Sequence, residues 1–61
     1  MLKVGDLVKS NSHGTTIFCV MGFRADDEGK CVAVLKAIYN QTFIVAAPIE
    51  DLKNVLPNGK L

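Results

Sequence analysis

Apolar residues in this chain fall into short runs, rich in β-branched and aromatic types and separated by polar turn formers, the pattern that marks β-strands. The densest stretch, Thr15–Tyr39, reads TTIFCVMGF, RADDEG and KCVAVLKAIY. Two runs rich in Val, Ile, Phe and Tyr around a charged loop that ends in Gly29 predict a pair of antiparallel strands. In the first run, Ile17, Cys19, Met21 and Phe23 share one face, and Thr16, Phe18, Val20 and Gly22 share the other. Both faces are apolar, so this strand is expected either at the centre of a small barrel or covered on its outer side by a partner. Gly22 predicts a bulge or sharp bend.

The second run, Lys30–Tyr39, is ambiguous. As a strand it places Val32, Val34 and Ile38 on one face and Cys31, Ala33, Leu35, Ala37 and Tyr39 on the other. As a helix it would align Val32, Leu35, Ile38 and Tyr39, with Asp26 or Asp27 as cap. Ala, Leu and Lys favour the helix, and the β-branched and aromatic residues favour the strand. Gly29 just inside a helix start would cost about 1 kcal/mol, so the strand reading is preferred.

Around this pair, Leu7–Ser10 alternates as a short first strand, and Asn11-Ser12-His13-Gly14 is a run of turn formers. Asn40-Gln41 makes the next turn. Thr42–Ala46 is the fourth strand, with Pro48 expected to end it because proline cannot donate to a ladder. Pro48–Leu52, with proline first and Glu50 and Asp51 following, suits a single helical turn. Asn54–Leu56 is read as a short closing strand, and residues 57–61 as a polar C-terminal tail.

Composition narrows the classes. With 61 residues the chain makes one domain, and its 49% hydrophobic content comes with no Trp and only four aromatic residues. A chain this short buries a smaller fraction of its surface than a large one. That much apolar surface implies either a dense aliphatic core or cover from a second copy. The net charge is +1, and the seven basic residues are scattered. Nucleic-acid binders concentrate such charge in a stripe, so that class is disfavoured, though possible. Asp26-Asp27-Glu28 reads as a solvated turn, since calcium loops need acids at alternating positions. No leader-like or membrane-length apolar segment is visible, so a cytoplasmic location is expected. There Cys19 and Cys31 are expected to stay reduced and act as small buried hydrophobes, a cross-strand bridge being conceivable.

The order of elements is strand, Ser/Gly loop, long strand, acidic turn, two strands, one turn and a last strand. It resembles an SH3-like barrel. Lys3–Ser10 (KVGDLVKS), Thr16–Phe23 (TIFCVMGF) and Glu50–Val55 (EDLKNV) carry the resemblance. The Val-Gly-Asp-x-Val and Asp-Leu-x-x-Val pieces look like the small bacterial YodC-like proteins and, more loosely, KOW-type barrels. The resemblance covers about Lys3 to Leu56 with short motifs. The Ser-Gly-Gly-Pro loop of the pattern is Asn11–Thr15 here, and its aromatic third strand is Cys31–Leu35. It implies an all-β, small five-stranded SH3-like barrel over residues 1–56, with one short 3-10 or helical turn before the last strand. It implies no activity and no cofactor.

Candidate chemistry is sparse. His13 has no converging partner in sequence and reads as an exposed loop histidine. Ser10 and Ser12 sit in no nucleophile elbow. The cysteines are not in a Cys-x-x-Cys arrangement, and the glycines do not have phosphate-loop spacing. Phe18, Phe23, Tyr39 and Phe43 could stack bases with Arg24 or Lys36 nearby, although packing roles are favoured. Phe18, Arg24, Lys36, Tyr39 and Phe43 therefore form the expected interaction surface. The sequence points to a non-catalytic binding module that contacts another protein or itself as a homodimer. A small nucleic-acid-associated regulatory barrel is the alternative. No metal, cofactor or membrane partner is expected.

Overall fold

Which face of each strand goes inward is decided by the first pairing. Strand β1 (Leu7–Ser10) runs antiparallel to β2 (Ile17–Ala25), with Val8 opposite Phe18. Both residues are fully buried, and so are Val20 and Leu35, which oppose each other between β2 and β3 (Cys31–Ala37). Directly opposed residues of an antiparallel pair share one face of the sheet. One alternating set therefore builds the core. Ala33, Ala37 and Ala47 complete it, and Leu2, Val45, Ile49 and Leu52 pack around its edge. The alanines face larger residues across the ladder, Phe18 against Ala37 and Phe23 against Ala33, which fills the interior without overcrowding.

The computed structural model describes residues 1–55. Among these, five strands form one antiparallel sheet in the order β4-β3-β2-β1-β5, where β4 is Ile44–Pro48 and β5 is Leu52–Asn54. Two 3-10 turns join them, Asn11–His13 and Ile49–Asp51, the second directly before the last strand. The all-β, five-stranded architecture agrees with the sequence reading. Closure does not: β4 and β5 remain the two edges of the sheet, so hydrogen bonding leaves the expected barrel open. The last strand also lies two residues earlier than Asn54–Leu56, because Ser10, Lys9 and Val8 pair with Leu52, Lys53 and Asn54. Leu56 and the tail over 57–61 lie outside the described residues.

Within Lys30–Tyr39, Cys31–Ala37 is a strand. Pairing on both sides, with β2 and β4, decides it against local helix propensity. The register shifts between Val20 and Gly22, the bulge that the lone glycine signalled. The acidic cluster makes the hairpin turn. Gly29 N–H donates to the Asp26 carbonyl at 3.0 Å, and the Asp26 carboxylate accepts from the Glu28 and Lys30 amides at 2.9 Å each. Gly29 takes φ +82°, as a hairpin loop of type I turn plus bulge requires.

Strand β4 lies two residues later than the expected Thr42–Ala46, and Pro48, which was expected to end it, is its last residue. The Ala37 N–H donates to the Phe43 carbonyl, and no bulge interrupts the β3–β4 register. The ladder alternation then points the backbone groups of Phe43, Val45 and Ala47 toward β3 and those of Ile44 and Ala46 away from it. Pro48 falls in the outward set, so the N–H it lacks is not one the ladder uses.

Candidate functional site

The five residues expected to form an interaction surface do not come together. Phe18 is fully buried and belongs to the core, so it presents nothing to a partner. Its inward face is set by Val8 across the ladder, which sequence alternation alone could not distinguish from an outward one. Arg24 is exposed near the end of β2. Lys36 lies on β3, half-buried, opposite Cys19 and Ile44 on the outer face of the sheet. Tyr39 is 86% exposed in the turn after β3. Phe43 is 39% exposed and packs inward.

Phe43 is one of three rings that meet at one end of the core. Its centroid lies 5.7 Å from that of Phe18 and 6.0 Å from that of His13, and His13 lies 5.4 Å from Phe18. Both contacts of the imidazole are edge-on, a favourable aromatic geometry. His13 is thus a packed residue, not the exposed loop histidine that the Ser/Gly surroundings suggested. Its Nδ1 sits 3.1 Å from the Oγ of Ser10, which is itself buried and accepts the Ser12 amide at 3.3 Å. A serine beside a histidine can be a nucleophile and its base. Here the serine is closed off from solvent and caps the first 3-10 turn, so the pair is structural.

The thiols are separate. Cys19 lies opposite Lys36 and Cys31 opposite Ala25, six positions apart on β2. At ~3.3 Å per strand residue that is roughly 20 Å, well beyond a bridge. Both cysteines are free, Cys19 half-buried and Cys31 exposed, so neither is the fully buried hydrophobe expected. Among the described residues no group of three or more His, Cys, Asp or Glu could hold a metal ion. Nor is any helix among them long and apolar enough to cross a membrane.

What the structure does bring together is an apolar strip that the sequence reading did not single out. On the outer face two neighbouring rows cross β2, β3 and β4: Gly22, Val34 and Ala46, which is wholly apolar, and Cys19, Lys36 and Ile44, with the half-buried Lys36 at its centre. Gly22 contributes no side chain, and the space above it is open. Ile44 is 57% exposed and Met21, at the bulge, 46%. The strip ends at β4, whose sequence IVAAP carries no charge and whose far edge pairs with none of the described residues. The opposite edge differs: β5 has three residues and carries Lys53. Period-two reading of Thr42–Ala46 as a half-exposed edge strand would have found Ile44. No family model matches this chain, and no curated protein or solved structure matches it either.

Proposed function

We propose that this protein is a non-catalytic binding module that works by associating with protein, foremost with a second copy of itself, through β4 and the adjoining outer strip. One observation carries the reading. Among the described residues nothing pairs with the outer edge of β4, which is uncharged, has Ile44 exposed and carries proline only at its last position, Pro48, whereas edge strands of monomers are usually guarded by charge, proline, brevity or cover. Burying such a strip removes apolar surface at about 25 cal/mol per Å². Solution mass measured across concentrations tests it. The native chain should rise above the one-chain mass, and Ile44→Glu should stay there with an unchanged fold. A one-chain mass for the native protein up to about 1 mM, a contact weaker than about 4 kcal/mol, would refute it.

A second reading rests on Lys9 and Lys53, which oppose each other across β1 and β5, with Lys36 on the same outer face. Like charges placed directly opposite are unfavourable unless an anion lies between them. This supports the alternative of a nucleic-acid-associated barrel. Binding to single-stranded RNA or DNA that weakens steeply with salt would favour it, and no binding at about 50 mM salt would remove it.

A further inference from the structure

We infer that the occupant of the β4 edge is the β4 edge of a second copy, paired antiparallel about a two-fold axis through Val45; the inference rests on the self-association just proposed and specifies its geometry. Three observations converge on this register. The first is backbone polarity. Ile44 and Ala46 turn their N–H and C=O groups away from β3. Centring the two-fold on Val45 sets Ile44 opposite Ala46 of the other copy, twice, and all four N–H groups find carbonyls. Centring it on Ala46 would set Ile44 opposite Pro48, which has no N–H to return.

The second is side-chain size. Along Phe43-Ile44-Val45-Ala46-Ala47 the large residues come first and the alanines last. Antiparallel self-pairing about Val45 puts Phe43 against Ala47 and Ile44 against Ala46, so each large side chain faces a small one. Phe43 and Ile44, both partly exposed in the single chain, are the residues this would cover. Nor does the strand carry any charge that symmetry would double against itself.

The third is closure. Pairing β4 with β4 consumes the unguarded edge of both copies and leaves the two β5 edges outermost, each three residues long with Lys53. The same faces meet in both copies, so assembly stops at two, whereas β4 against β5 would repeat head to tail as a ring or an open filament.

A cysteine scan in a Cys19→Ser/Cys31→Ser background tests the register. In a non-hydrogen-bonded pair the Cα atoms stand about 4.5 Å apart, within disulfide range. Val45→Cys should therefore give a covalent dimer on mild oxidation, and Ala46→Cys, two positions from its own copy, should not. Amide exchange on the unmodified chain gives a second readout that needs no substitution. Ile44 and Ala46 should exchange at least about tenfold slower in concentrated than in dilute solution, while Val45 and Ala47 stay protected in both. If the native chain dimerises but Ile44 and Ala46 exchange freely, edge pairing is wrong and self-association stands. Cross-linking through Ala46→Cys instead of Val45→Cys would overturn the register. A chain monomeric throughout would overturn both readings.

Discussion

Phe43 offers the sharpest test of the packing described above, because its ring is part core and part surface. With 39% exposure it keeps about three-fifths of its side chain out of water. Truncating a fully buried Phe to Ala costs about 3–5 kcal/mol. Scaled to the buried share, Phe43→Ala should cost about 2–3 kcal/mol, including its ring contacts with Phe18 and His13. A domain of this length is expected to have only about 3–9 kcal/mol in all. With a urea dependence of about 1 kcal/mol per M, the midpoint should fall by about 2–3 M. Far-UV circular dichroism is the right probe, since there is no Trp and the single Tyr, Tyr39, is exposed. Measurements belong at the lowest usable concentration, where self-association cannot add to stability. A double-mutant cycle with His13→Ala then isolates the contact between the two rings, expected at about 0.5–1.5 kcal/mol. If Phe43→Ala changes stability by less than about 0.5 kcal/mol, as an exposed residue would, or the cycle shows no coupling, the aromatic cluster is not a packing unit.

Other substitutions probe separate parts of the structure. Leu35→Ala, at a fully buried site between Val20 and Val45, should cost about 2–5 kcal/mol and leave the chain mostly unfolded at 37 °C; a melting curve close to the native one would contradict its central position. Gly29→Ala should cost about 1–2 kcal/mol, because its φ of +82° is strained for any side chain, whereas Gly22→Ala, with open space above it and no positive φ, should be neutral or stabilise by up to about 1 kcal/mol. Equal urea midpoints for the two variants would refute the turn assignment. Lys53→Glu replaces the like-charge pair with Lys9 by an attractive one and should gain about 0.2–1 kcal/mol, a rise of a few degrees in Tm that high salt reduces.

Much of the fold was legible because the signals were local. Gly22 announced the bulge and Asp26–Gly29 the hairpin turn, each through backbone demands that few other residues meet. Lys30–Tyr39 was ambiguous for the opposite reason. Its conformation is decided by two neighbouring strands far away in sequence, and local propensity carries no trace of them. The same non-locality hid the surface. With both faces of Thr15–Phe23 apolar, alternation could not say that Phe18 points in and Cys19 out. Phe18 was therefore assigned to a surface it does not reach, and His13, judged by its polar neighbours, hid its contacts with Phe18 and Phe43. Ile44 carried no assignment to core or surface, since nothing local marks β4 as an edge.

The β1–β5 pairing sets the order in which this chain can fold. Strands β1 to β4 follow one another as hairpins, and Ala25 meets Cys31 across only a short loop. Val8 meets Asn54, 46 positions later. Closing that longer loop costs about 2 kcal/mol more in chain entropy than closing the hairpin, and nothing rewards it until β1 already lies on β2. The four-stranded β1–β4 meander is therefore expected to form first, and β5 to dock on it afterwards. Substitutions in β5 will speed unfolding and leave the folding rate nearly untouched, while substitutions at Val20 or Leu35 will slow folding itself.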